Sequence, residues 1–333
     1  MKNFLLIFIL INLPFIESCE NSYLQSIEFN LNQREWEKAK QELLRLINQN
    51  RSNGKSFFML GDVYGRLNDY EKMGECFKRS LELTNRFHPK IKYLIQKYWV
   101  INYNAGVRSF ERSNFVDAIQ KFSYAITIDP QKSIAYFQLA NVYRIQADYK
   151  KAIAMYEQAI RLNKTDILSR NHLAYIYFIQ KEYRKVIEIC QDIIKIDSSD
   201  IEAFKQLAYC YDVLGEKENA IKWYKKCSDF SPNNKIIHTN LGIAYFNVQN
   251  FPKAIQEFRS AIKIDSLDTS LYRYLGDCYW KTHDYENMVA CFQRIVQLEP
   301  QNMNVWRNLT VGYNHLGRYE ELDSARVKLN ELK

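Results

Sequence analysis

The feature that most constrains this chain is a period. From Trp99 to Lys333 one spacing of apolar, small and aromatic residues returns every 34 residues without a gap, in frames that begin at Trp99, Ser133, Ile167, Ile201, Lys235, Thr269 and Met303. Counted within each frame, position 7 reads Ala105, Leu139, Leu173, Leu207, Leu241, Leu275 and Leu309. Position 8 reads Gly106, Ala140, Ala174, Ala208, Gly242, Gly276 and Thr310. Position 11 is Ser109 once and Tyr six times. Position 24 reads Phe122, Tyr156, Cys190, Tyr224, Phe258, Phe292 and Arg326. A chain that repeats at this length is a stack of one supersecondary unit, not a pair of conventional domains.

Positions 4, 7, 8 and 11 lie three or four residues apart and share one face of a first helix. Positions 20 and 24 do the same on a second. Small residues at 8 and 20 let the two helices approach closely, and the aromatics at 11 and 24 are expected to fill the space between successive pairs. Pro130, Pro232 and Pro300 fall at position 32, where proline stops the second helix. Pro252 falls in the first turn of its helix, where a missing N–H costs nothing. One pair alone leaves an apolar face wet, so neighbours must stack.

The stretch from Ile201 to Pro232, with Phe204, Leu207, Ala208, Tyr211, Gly215, Ala220, Tyr224 and Cys227, closely resembles one tetratricopeptide repeat. The resemblance implies an all-α fold, a right-handed α-solenoid (superhelix) of about nine helix-turn-helix units. It implies protein interaction on the concave surface formed by the first helices, with no catalysis and no cofactor. The frame extends backward over 54–87, with Leu60, Gly61, Tyr64, Tyr70 and Phe77. It extends more weakly over 20–53, with Trp36, Ala39, Leu43 and Leu46. Residues 19–87 therefore carry divergent N-terminal units. Residues 99–333 carry seven contiguous units, the last a cap with Arg326 in an aromatic slot. Between them lie eleven extra residues, 88–98, HPKIKYLIQKY. That is close to three helical turns, and the sequence predicts one long helix from Lys90 to Arg112, projecting about 16 Å past its neighbours.

The first residues carry a different signal. Lys2 is followed by an apolar run from Phe4 to Leu13, too short to span a bilayer comfortably, and then by Ile16-Glu17-Ser18-Cys19. This reads as a signal peptide over 1–18. Its end resembles a bacterial lipobox, with Glu17 departing from the small residue usual there. The resemblance implies an exported chain lipidated at Cys19 and anchored at the periplasmic or outer face of a bacterial membrane.

The other cysteines are Cys76, Cys190, Cys210, Cys227, Cys278 and Cys291; they have no metal-ligand spacing, and Cys190, Cys210, Cys227 and Cys278 occupy small or buried slots of the period, so they read as buried free thiols. None of the five histidines belongs to a catalytic motif, and there is no phosphate-binding glycine loop. The net charge of +8 comes without a Lys/Arg block, which argues against a nucleic-acid partner.

Function is then expected on the concave face. Position 6 reads Asn104, Gln138, His172, Gln206, Asn240, Tyr274 and Asn308, and its side-chain amides can both donate to and accept from an extended peptide backbone. Position 12 carries Phe110, Phe178, Phe246 and Trp280, candidate apolar anchors. Position 5 changes from aromatic (Phe58, Tyr103, Phe137) to basic (Lys205, Arg273, Arg307), which suggests an acidic partner segment toward the C-terminal half. The expected function is a membrane-tethered, non-catalytic scaffold for a protein or peptide. The alternative is a small-ligand or glycan-binding component of an uptake system.

Overall fold

The computed structural model describes residues 25–49 and 53–332. The expected signal peptide and Cys19 lie outside them. The described residues are helical throughout, with no strand, and form two compact units that divide in sequence between Ser169 and Arg170. The first unit holds α1 (25–32), α2 (Trp36–Asn48), α3 (Gly54–Arg66), α4 (Tyr70–Leu83), α5 (His88–Glu111), α6 (Phe115–Ile128), α7 (Ser133–Ile145) and α8 (Tyr149–Leu162). The division falls inside α9 (Ile167–Ile179). The second unit continues with α10 (Tyr183–Ile196), α11 (Ile201–Val213), α12 (Lys217–Phe230), α13 (Lys235–Asn247) and α14 (Phe251–Ile264). It ends with α15 (Thr269–Lys281), α16 (Tyr285–Leu298), α17 (Met303–Leu316) and α18 (Tyr319–Glu331).

The turn inside each pair is the same object nine times. Position 15 takes a positive φ at Arg34, Asn68, Ser113, Ala147, Lys181, Gly215, Gln249, His283 and Gly317. The next N–H reaches back to the carbonyl of position 11, as from Asp148 to Tyr143 at 2.9 Å and from Asp284 to Tyr279 at 2.9 Å. This bond closes the first helix by the left-handed C-terminal motif. The same residue then caps the second helix: Asp69, Asn114, Asp148, Asn250 and Asp284 accept from the backbone N–H three residues on. Gly215 announces this turn in the sequence, but seven other repeats impose the left-handed conformation on side-chain-bearing residues.

Close approach within a pair rests on position 8. A Cβ on Gly61, Gly106 or Gly242 would stand 2.5, 2.7 or 2.7 Å from the ring of Phe77, Phe122 or Phe258. The position-24 ring therefore lies on the small residue of its own pair as well as between pairs. Phe258 faces both ways, stacking on Tyr274 of the next repeat with centroids 5.3 Å apart and planes at 8°. Pro252 sits in the first turn of α14, and α6, α12 and α16 all end before their position-32 prolines.

The long helix α5 corrects one expectation. It runs unbroken from His88 to Glu111, with Pro89 in its first turn. Its added turns do not project into solvent. Ile91, Leu94, Tyr98 and Trp99 are buried in one cluster with Leu60, Val63, Tyr70, Met73 and Phe77. The apolar stripe at 91, 94, 95 and 98 recurs every three or four residues, so it needs a partner, and α3 and α4 provide it. The Tyr98 hydroxyl donates to Asp62 Oδ1 at 2.9 Å.

All six cysteines among the described residues are free and buried. Burial pushes Cys76, Cys210 and Cys227 up to about 11 and Cys278 and Cys291 up to about 12. They are core-filling thiols.

Candidate functional site

The position-12 aromatics share a local role. Phe110 packs on Phe115, Phe178 on Tyr183, Phe246 on Phe251 and Trp280 on Tyr285, with ring centroids 5.5–6.1 Å apart. Each pair clasps the turn between the two helices of one repeat. In the repeat that starts at Ile201 an ion pair, Asp212 with Lys217 at 3.6 Å, stands in the same place. Phe110, Phe178 and Phe246 are half-buried by this contact, while Trp280 stays 38% exposed.

Phe178 also lies 5.3 Å from the ring of Tyr209, and here several expected residues meet. A concave pocket of about 220 Å³ in the second unit is lined by Phe178, Lys205, Gln206 and Asn240 together with Tyr209 and Ile236. Helices α9, α11 and α13, the first helices of three successive repeats, deliver them, and Gln206 and Asn240 come from the same frame position because a 34-residue period returns each position to the same face of the next pair. Tyr209 is 44% exposed. The Asn240 side chain makes no hydrogen bond among the described residues, whereas the Gln206 side-chain carbonyl accepts from the Cys190 thiol at 3.4 Å. The Lys205 ammonium is paired with Glu202 at 2.5 Å, which neutralises the charge expected there to meet an acidic partner.

A second pocket, of about 280 Å³, joins Trp280 and Asn308 to Asp277, Val311, Met288 and Phe292. Burial raises the Asp277 carboxyl above its ordinary value, with Arg273 and Lys281 pulling the other way. Arg273 and Arg307 are exposed and line neither pocket; Arg307 donates to Asn304 Oδ1 at 3.2 Å.

In the first unit the expected residues do not gather. Asn104 is exposed on α5 and Gln138 accepts from Asn141 Nδ2 at 3.4 Å. The aromatic position-5 residues are engaged in packing. Phe58 stacks on Phe87 at 4.8 Å, Tyr103 on Trp99 at 4.8 Å, and Phe137 is buried against Tyr156. The apolar end expected of the groove is thus internal packing. Tyr274 likewise breaks the amide series by stacking on Phe258. The lining residues Glu202, Ile236, Ile237 and Val311, not singled out in the sequence, occupy positions 2, 3 and 9 of their frames.

No group of three or more metal-ligating side chains occurs among the described residues, and no described helix is long and apolar enough to cross a membrane.

Sequence matches to tetratricopeptide repeat families fall on residues 54–87, 133–166, 201–234 and 239–302. No curated protein matches. Among solved structures, YrrB, described as a TPR protein with an unusual peptide-binding site, is 16% identical; the match covers 56% of this chain and 96% of that one, with a TM-score of 0.49. A MamA fragment from Desulfovibrio magneticus is 15% identical, with 51% of this chain and 96% of that one covered and a TM-score of 0.45. PilF of Pseudomonas aeruginosa is 14% identical, with 68% and 99% covered and a TM-score of 0.45. Three of the sequence matches, 54–87, 133–166 and 201–234, coincide with whole 34-residue frames, and the same left-handed turn closes every helix pair of the described residues: the chain belongs to the tetratricopeptide repeat family.

Proposed function

We propose that this protein is a non-catalytic scaffold that holds an extended protein segment against the first helices of its second unit. The observation that carries this reading is the convergence of Phe178, Tyr209, Gln206 and Asn240 on one concave pocket. The exposed Tyr209 ring and the half-buried Phe178 ring supply apolar contact there, and the unbonded Asn240 side-chain amide offers a donor and an acceptor to a peptide backbone. The lipobox-like Ile16 to Cys19 supports tethering of the mature chain to a bacterial envelope membrane through lipidated Cys19.

Photo-crosslinking in native cells tests the groove. A photoreactive phenylalanine at Tyr209 should capture one dominant partner, and the capture should fall when Gln206 and Asn240 are both replaced by Ala. The same probe at Glu188, exposed on α10 and outside the pocket lining, should not capture it. Equal capture from both positions, or none from Tyr209, removes the reading. Tethering is tested separately. Cys19→Ala should move the protein to the soluble fraction, and retention in membranes would rule out the anchor.

A further inference from the structure

We propose that the pocket formed by α15, α16 and α17 is a receptor for one basic side chain, an arginine above all, of the segment bound in the groove. This deepens the groove reading and rests on it for the origin of the side chain, although the pocket itself can be tested without it.

Asp277 is the titratable group in the lining. It is half-buried and makes no hydrogen bond or ion pair among the described residues. Arg273 and Lys281 lie one turn before and one turn after it on the same face of α15, close enough to be felt but without pairing with it. A carboxylate partly withdrawn from water and left unpaired is unfavourable. A cation arriving with a ligand relieves that cost, while an anion adds to it.

The rest of the lining suits a guanidinium. Trp280 is 38% exposed, and its ring is braced edge-on by Tyr285 at 5.5 Å and His315 at 5.4 Å. Tyr285 and His315 are themselves stacked at 4.3 Å with planes at 7°. A braced indole is a preformed surface for a planar cation. The Asn308 side chain makes no hydrogen bond among the described residues, so its side-chain carbonyl is open to an N–H of the guest. Met288 and Phe292, each 2% exposed, and Val311 supply an apolar floor for the aliphatic stem. Arginine exceeds lysine here because its rigid fork can meet Asp277 bidentately while lying on the indole.

The first pocket lacks this preference, since Lys205 is already paired with Glu202. Arg273 and Lys281 are exposed beside the receptor and favour acidic residues next to the basic anchor.

The test uses the full chain labelled with ¹³C at its methionine methyl groups. The Met288 resonance is identified by its loss in Met288→Leu. The probe is N-acetyl-arginine N-methylamide, with the norleucine and glutamate analogues as controls. The arginine compound should move the Met288 resonance saturably, and the controls should not at the same concentration. Asp277→Asn should weaken the arginine titration by about tenfold or more. The other methionine resonances and the melting temperature report that this variant is folded. Norleucine acting as strongly as arginine, an unchanged titration in Asp277→Asn, or no shift with any probe would overturn the proposal. In those cases a persisting crosslink from Tyr209 leaves the groove reading standing. Arginine binding without that crosslink would keep the receptor and remove the groove.

Discussion

Gly242 lies directly under the ring of Phe258: a Cβ added there would stand 2.7 Å from Cε1, and the ring cannot retreat because its other face is stacked on Tyr274 at 5.3 Å. At Gly276 the same added carbon would stand 3.1 Å from Phe292. Gly242→Ala should therefore lower stability by about 1–2 kcal/mol, an overpacking cost partly offset by better helix propensity. Gly276→Ala should be near neutral. Urea unfolding of the two variants in parallel decides the matter, and a Gly242→Ala protein as stable as the parent would contradict this geometry.

Ala147 and Lys181 hold the left-handed turn at φ 58° and 61°. That conformation costs a side-chain-bearing residue about 1 kcal/mol. Ala147→Gly and Lys181→Gly should each gain about 0.5–1 kcal/mol, and Gly215→Ala, at φ 78°, should lose a similar amount. Thermal melting should order the four proteins accordingly. Equal melting temperatures would mean the turn carries no strain.

The buried thiols should be inert in the native protein. With Cys19 replaced by Ser, no rapid reaction with a thiol reagent is expected at pH 8, because burial holds Cys210 and Cys227 at about 11 and Cys278 and Cys291 at about 12. All six should react once denaturant is added. Fast stoichiometric labelling without denaturant would place a thiol at the surface.

Asp277 should cost stability at neutral pH. Its folded pKa is raised by burial above the ordinary 3.8, so between the two values the folded chain holds a proton that the unfolded chain releases. Stability then falls as pH rises through that window and stays lower above it. Asp277→Asn should melt higher than the parent at pH 7, and the difference should vanish below pH 3.8, where both states are protonated. A lower melting point at pH 7 would mean that Arg273 and Lys281 outweigh the burial.

Much of the fold was legible because the repeat amplifies it. A single Gly-Phe pair says little, but Gly106 with Phe122, Gly242 with Phe258 and Gly276 with Phe292 at one spacing define a helix pair and its close contact. The site was legible as a face rather than as a set of residues. Phe178, Gln206 and Asn240 meet as their frame positions imply. Phe58, Tyr103, Phe137 and Tyr274 occupy candidate groove positions yet spend their rings on neighbours. An aromatic at a groove position looks the same in sequence whether its partner is a ligand or the next helix.

By itself, the sequence determined the periodicity, the identity of each helix and its buried stripe, since these depend on spacings of three, four and 34 residues along one chain. Tertiary structure alone decided which side chains remain unspent. Lys205 is neutralised by Glu202 while Asp277 stays unpaired between two cations, and α5 buries its extra turns against α3 and α4 instead of presenting them to solvent. The difference is physical. Helix faces follow from local geometry, whereas pairing and burial depend on distances between elements far apart in the chain, which no spacing along one helix encodes.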